Sequence, residues 1–532
     1  NASCTERSIK NKLKKTPLQI VQGPSPLPPH QKQRKMCRLF ILPGGTLQLY
    51  LLFVCCTRMK SPNTFIYREA PALMTDLYQL TMAHGYWKKG LHQKKAVFNL
   101  FFRNIPFKGG YAVAGGLEQA LAYLQDFRFS DSDLCYLSDF RGNDERPIFD
   151  PAFLDFLSKE RFSCDVAAIP EGTVIFANEP LLRVSGSVIQ AQLVETALLN
   201  IINFQTLVAT KAARICDAAQ GEPVMEFGFR RAQGLDGAVS ASRAAYIGGC
   251  IGTSNVYAGK IYNIPVLGTH AHSWVQAYND ELQAFREFAD SMPNNTVFLV
   301  DTYHTPQGID NAITVAQEML KKGYKMTGLR LDSGDLAYLS RLARQKLEAA
   351  GLGFMKIVAS NDLDEHLIAS LKQQQAAIDI WGIGTKLVTA YDQPALGGVY
   401  KLAAMENDKG DFEDRIKLSE QSIKINIPGI QQVRRFYKNN KLACDMIFDE
   451  RDRLPELPLL IDPADPTRRK SVANCNSRYE DLLQPVLQKG QLVYDLPELN
   501  SIRQRRAQQL EQLDAGIRRL TNPHLYPVGL EA

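Results

Sequence analysis

Two of the eight histidines in this 532-residue chain stand in one heptapeptide, Gly268-Thr269-His270-Ala271-His272-Ser273-Trp274. Imidazole is neutral and nucleophilic near pH 7, so a histidine here can bind a metal, move a proton or accept a phosphoryl group. Other clusters bear on the choice. Arg230 and Arg231 are adjacent, and planar guanidinium groups suit the oxygens of a polyphosphate; the plainer alternative is surface pairing with Glu226 or Asp236. Asp332-Ser333-Gly334-Asp335 offers two carboxylates around a turn, able to hold ribose hydroxyls or a phosphate-bound Mg2+. Asp335 is also the better candidate to cap the helix that follows. Arg330 shares a strand face with Asp332 by period-two alternation and needs an anionic partner. A substrate carboxylate is one option; Asp301 or Asp332 is the intramolecular one. Gly382-Ile383-Gly384-Thr385 allows close backbone approach to a phosphate, with N–H groups and the Thr385 hydroxyl as donors.

The elements that position these residues are legible from residue 223 onward. Strand-like runs at residues 224–227, 264–267, 297–300, 327–331, 356–359 and 378–381 alternate with helical stretches at 308–321, 336–350 and 364–374. Repeats of this length with nearly continuous apolar strands predict parallel βα units in a barrel or a large open sheet. Each run exits into polar residues: Gly228 to Arg231, Gly268 to His272, Asp301 to His304, Asp332 to Asp335, Ser360 to Asp362, and Gly382 to Thr385. Six polar exits exceed what helix capping requires and predict one shared site at the C-terminal strand ends.

Upstream, residues 73–87 read as a helix with Thr75 or Asp76 at its cap, 96–102 as a strand, 173–185 as two strands around Asn178-Glu179-Pro180, and 188–219 as one long helix. Downstream, 422–427 and 433–437 read as strands, Pro455, Pro458, Pro463 and Pro466 mark a loop, and 496–520 reads as a charged helix. The expected division is a leader over 1–58, an N-terminal α+β lobe over 59–190, a catalytic α/β domain over 191–404 and an accessory lobe over 405–532.

The net charge of +6 resides in the leader. Residues 1–58 hold ten of the 62 basic residues and one of the 56 acidic ones, so the remainder carries −3. The body therefore gives no electrostatic case for nucleic-acid binding. The apolar run over residues 39–56 is broken by Pro43-Gly44-Gly45, leaving about a dozen residues where a bilayer span needs about 20. No membrane role is expected. Met59 is the expected native start. The body cysteines are scattered without Cys-x-x-Cys spacing, which suits a reducing cytosol.

The residues alone leave three readings open. His270, His272, His304 and Asp332 could ligate a metal in an amidohydrolase-like barrel. Alternatively, the arginines, glycines and carboxylates bind a phosphorylated sugar while one histidine does phosphoryl chemistry, or they form a sugar-phosphate module without catalysis. The metal reading leaves the arginines unused. Its His-x-His also belongs at the first barrel strand, whereas here a strand ending in Arg-Arg precedes it.

Six ordered stretches resemble the nicotinate phosphoribosyltransferases: Thr75 to Met82, Glu226 to Gln233, Gly268 to Ser273, Leu329 to Asp335, Gly382 to Thr385 and Leu396 to Leu402. The likeness is firm over residues 73–402 and looser beyond. It implies an irregular, incomplete α/β barrel of the type II phosphoribosyltransferase kind, with an α+β lobe built from N- and C-terminal segments. The implied reaction joins nicotinate to phosphoribosyl pyrophosphate, giving nicotinate mononucleotide and pyrophosphate in NAD biosynthesis. It is coupled to ATP hydrolysis through a phosphohistidine, as in an ATP-hydrolysing ligase, with Mg2+, in a cytoplasmic homodimer whose active site lies near the interface. By residue match, His272 is the phosphorylated residue, Tyr78, Thr269 and Arg330 contact nicotinate, and Thr385 contacts the ribosyl substrate. Arg330 would pair with the pyridine carboxylate and Tyr78 would stack on the ring. Arg230, Arg231, Gly382 and Gly384 would hold pyrophosphate and 5-phosphate. Asp332 would position ribose or, with Asp335, Mg2+. Glu226 and Asp301 are the candidates to orient His272, and His270 has no assigned role. Nicotinamide phosphoribosyltransferase shares these features and is the nearest alternative.

Overall fold

Six parallel strands form one sheet, Val224–Glu226, Gly252–Thr253, Val297–Leu299, Gly328–Leu331, Lys356–Ala359 and Ile380–Ile383, and all but Gly252–Thr253 lead into polar exits expected from the sequence. In space, Gly252–Thr253 forms one edge, followed by Val224–Glu226, Ile380–Ile383, Lys356–Ala359 and Gly328–Leu331, with Val297–Leu299 at the other edge. Leu329, Leu331, Ile357, Ala359, Trp381 and Ile383 share one face by alternation and register, and all are buried. Helices Thr305–Lys321, Leu336–Ala349 and Glu365–Gln373 return the chain between successive strands. The computed structural model describes residues 71–417, 426–455, 458–462, 465–472 and 478–531. The expectations for residues 1–58, and for most of the strand over 422–427, lie outside them.

Two strand expectations are corrected. Residues 264–267 form only an isolated bridge, Val266 to Thr253. Pro265 has no N–H to give a ladder, and the edge position goes to Gly252–Thr253, too short to show periodicity. The last strand begins at Ile380, two residues later than expected, because Asp379 is occupied before the strand starts. Its carboxylate accepts from Arg344 at 2.6 Å and from the Ile357 N–H at 2.8 Å. Gly382 therefore lies within the strand. A Cβ there would sit 2.8 Å from the Phe227 ring, so the glycine makes room for an aromatic side chain.

The expected single helix over 188–219 is two, Val188–Leu193 and Glu195–Ala218. At the break the Glu195 carboxylate gathers the side-chain amides of Gln79 at 2.8 Å and Gln192 at 2.9 Å. The first long helix starts at Leu77, with Asp76 at its cap position but its carboxylate turned to the Thr196 hydroxyl.

An antiparallel sheet draws on both ends of the chain. Its order is Phe412–Asp414, Gly398–Glu406, Lys95–Phe102, Leu182–Ser187, Asp165–Ala168, Gln484–Gln488 and Gln491–Leu492. A third sheet is built from Asp465–Ser471, Leu459–Asp462, Val528–Glu531, Lys441–Asp449, Gln431–Lys438 and Tyr479–Asp481. The proline-marked loop is thus partly strand. The charged C-terminal helix is shorter than expected, Leu499–Gln512.

The third sheet is tied to the turn at Glu179 by a buried polar cluster. Arg435 donates to Asp445 from Nε at 3.0 Å, and the Tyr526 hydroxyl donates to Asp445 at 2.8 Å. Glu179 is completely buried beside them. Burial first, and then the Asp445 charge, push its carboxyl well above the ordinary 4.5. The folded protein therefore keeps a proton that the unfolded chain releases. The raised value contributes stability below 4.5, lost as pH climbs toward the folded pKa at about 1.4 kcal/mol per pH unit. Glu179→Gln keeps the shape and removes the titration. Thermal melts between pH 5 and 8 should show wild type losing Tm relative to the variant. Parallel curves would show that no proton is held there.

Candidate active site

Arg330 lies near the C-terminal end of Gly328–Leu331, between the edge strand Val297–Leu299 and Lys356–Ala359. Its Nε donates to the Ser360 hydroxyl and its Nη2 to Asp332 Oδ1, both at 2.7 Å. Its guanidinium carbon stands 5.7 Å from the centroid of the Phe227 ring, which packs over Gly382. Ser360 also donates to Asp332 Oδ1. Burial pushes the Asp332 carboxyl up, but the Ser360 hydroxyl and the Arg330 guanidinium, with His272 nearby, hold it below the ordinary carboxylate range. The intramolecular partner for Arg330 is thus Asp332. The backbone behind it is pinned by Asp301, whose Oδ2 accepts from the Asp332 N–H at 2.8 Å and the Ser333 hydroxyl at 2.7 Å. Asp301 Oδ1 is buried with no hydrogen-bond partner among the described residues.

His272 opens the short helix His272–Gln276 and is half-buried, with Nδ1 3.1 Å from the Thr302 hydroxyl. Neither expected carboxylate orients it. Asp301 is turned toward the Asp332 turn. Glu226 is buried and accepts from the Gly228 N–H and the hydroxyls of Ser242 and Thr253. The plainer partner offered for Arg230 and Arg231 is thereby removed in Glu226's case. Thr269 is half-buried, and its hydroxyl donates to the Val297 carbonyl.

His270 has work of its own. Its ring is buried, with Nε2 3.2 Å from the Leu299 N–H and Nδ1 3.2 Å from the Ala271 carbonyl. Burial outweighs the Ala271 carbonyl and, with the Arg330 and His272 charges, holds the imidazole below its usual range. A ring with both nitrogens engaged is not available as a metal ligand. His304 stands exposed at the cap position of Thr305–Lys321. Among the described residues no group of three or more His, Cys, Asp or Glu side chains could hold a metal ion. The amidohydrolase-like arrangement is therefore not formed.

Arg230 and Arg231 lie exposed on the turn Phe229–Arg231, which packs against the helix Thr385–Val388. Gly384 caps that helix, so the arginine turn and the Gly384-Thr385 turn are neighbours. Asp335 caps Leu336–Ala349, its Oδ1 accepting the Tyr338 N–H at 3.0 Å. Tyr78 is exposed at the start of Leu77–Lys88. Burial, then Glu195 and Asp76, push its hydroxyl up.

Phe227, Thr302 and Ser360 are the residues that sequence reasoning left without a task. Thr302 and Ser360 stand at polar strand exits, which is a usable signal. Phe227 has only its adjacency to Glu226 and Gly228.

Three family models match the chain in order: the nicotinate phosphoribosyltransferase N-terminal domain over residues 73–203, the nicotinate phosphoribosyltransferase family over 223–413, and the nicotinate phosphoribosyltransferase C-terminal domain over 430–532. The nicotinate phosphoribosyltransferase of Bacillus subtilis is 48% identical over 87% of this chain and 93% of its own length. That of Dictyostelium discoideum is 39% identical over 89% of this chain and 88% of its own. The crystal structure of human nicotinic acid phosphoribosyltransferase superposes with a TM-score of 0.76 at 33% identity, covering 86% of this chain and 97% of that one. The chain belongs to the nicotinate phosphoribosyltransferase family.

Proposed function

We propose that the chain transfers phosphoribosyl from phosphoribosyl pyrophosphate to nicotinate, and couples this to ATP hydrolysis through a phosphohistidine at His272. The observation that carries the substrate assignment is Arg330, fixed over the Phe227 ring by Asp332 and Ser360. A pyridine carboxylate supplies the flat ring that Phe227 can face and the anion that the guanidinium can bind. In the transfer, the C1–pyrophosphate bond breaks as the pyridine nitrogen bonds to C1. Positive charge grows on ribose, where Asp332 stands, and negative charge on the leaving group. Arg230, Arg231 and the Gly384–Thr385 turn are the groups for the phosphates. Arg330 and Ser360 converge on Oδ1 of Asp332, which leaves its second oxygen for Mg2+, an ion commonly held by one or two carboxylates plus substrate phosphates. Bound there, Mg2+ would neutralise pyrophosphate charge. Asp335 is already committed through one oxygen to its helix cap.

In this reading the parallel sheet is the incomplete barrel of a type II phosphoribosyltransferase and the enzyme is an ATP-hydrolysing ligase acting in the cytoplasm. No described helix is long and apolar enough to cross a membrane, and no disulfide joins the described cysteines. A homodimer would give the exposed Met74, Leu77 and Tyr78 a partner surface and bring Tyr78 to a pyridine ring. The test is initial rates with nicotinate and with nicotinamide, each with and without ATP. Nicotinate should turn over faster, and ATP should accelerate it. Faster turnover of nicotinamide would overturn the substrate assignment.

A further inference from the structure

The backbone ladder of the parallel sheet leaves a seam between residues 264–270 and the edge strand Val297–Leu299. Two side chains span it. Thr269 donates to the Val297 carbonyl, and His270 Nε2 accepts the Leu299 N–H at 3.2 Å. Acceptance at Nε2 puts the proton of the neutral ring on Nδ1, 3.2 Å from the Ala271 carbonyl. Phe285, Phe288 and Phe298 surround the imidazole, with the Phe288 centroid at 4.8 Å. The charged and titratable groups that act on it are Arg330 and His272.

His272 lies two residues beyond His270 on one side of the seam. Thr302 lies three residues beyond Leu299 on the other. They meet at 3.1 Å. We propose that His270 is a positioning residue: its bond across the seam to Leu299 sets the contact between His272 and Thr302, and so the aim of the His272 ring. The proposal rests on the reading of His272 as the phosphoryl acceptor. A filling role would be served by any flat ring of similar size. A positioning role requires an acceptor where Nε2 stands. His270→Phe keeps the ring and removes the acceptor, whereas His270→Gln returns an amide oxygen at similar reach.

The test compares the full chain as wild type, His270→Phe and His270→Gln by two measurements. One is the imidazole 15N–1H spectrum, with His272 assigned by its own substitution; the other is the initial rate of labelling from γ-32P ATP. His270→Phe should shift the His272 ring signals and slow labelling by roughly 10²-fold, the scale of an ångström-sized misplacement. His270→Gln should move both back toward wild type. Unchanged His272 signals in a folded His270→Phe protein would overturn the proposal. If that variant does not fold, a Leu299 amide in wild type that exchanges as fast as an exposed one would overturn it equally. Wild type that takes no label would defeat the phosphohistidine reading instead, and the ring spectra would still decide the role of His270.

Discussion

Arg330→Leu is expected to lower kcat/KM for nicotinate by about 30-fold to several thousand-fold, the range for removing one partner of a buried, hydrogen-bonded charge pair, about 2–5 kcal/mol. The same substitution should cost nicotinamide much less, because the amide brings no charge for the guanidinium. Arg330 has two anionic relationships to separate. It donates to Asp332 at 2.7 Å, and by the proposed reading it also receives the substrate carboxylate. Removing it leaves Asp332 without its cation, which would impair any substrate. Asp332→Asn alone, and combined with Arg330→Leu, closes a double-mutant cycle. If Arg330 acts only as the counterion of Asp332, the double variant should be no worse than Asp332→Asn, and both pyridines should lose equally. That equality would sink the carboxylate role. Arg330→Lys should recover part of the nicotinate rate through its charge. The remainder stays lost, since an ammonium cannot bond to Ser360 and Asp332 in the geometry of the planar fork.

How far the sequence announced this site depends on the range of the forces involved. Arg330 and Asp332 were legible as a pair because alternation along one strand puts both on one face, and the observed bond joins them. Asp335 was legible as a cap for the same local reason. Five of the six polar exits follow strands of the parallel sheet and so lie together at its C-terminal ends. The failures belong to contacts made across chain distance. That His272 rests on Thr302 rather than on a carboxylate follows from how the open sheet edge meets residues 264–270, and no periodicity encodes that seam. His270 looked idle because its partner is a backbone N–H, which has no identity in a sequence. Gly382 read as a phosphate loop because glycine has two uses. Here Phe227, which precedes it by more than 150 positions, takes the space. The Arg435, Asp445, Glu179 and Tyr526 cluster was invisible for a related reason: each residue is ordinary on a surface, and only the third sheet makes them a core.

The second large effect concerns His272. His272→Ala should abolish incorporation of label from γ-32P ATP and remove the acceleration of nicotinate transfer by ATP, while a slow ATP-independent transfer persists. The geometry gives the reason. With Nδ1 at hydrogen-bond distance from the Thr302 hydroxyl, the ring can donate its proton there and present Nε2 as the free lone pair. A new Nε2–P bond then forms as the bond from the γ-phosphorus to the bridging oxygen breaks, and ADP carries that oxygen away. Alanine removes the acceptor but none of the groups that bind nicotinate or place ribose, so transfer itself remains possible. His272→Gln offers similar reach without a nucleophilic nitrogen and should match alanine in the ATP assay. The label should be lost in acid and retained in base, as a phosphoramidate is and a phosphoserine is not. Equal ATP stimulation in wild type and His272→Ala would sink the assignment. Label that survives in the variant would move the acceptor to another residue, with Thr302 the first to replace because it already stands beside the ring.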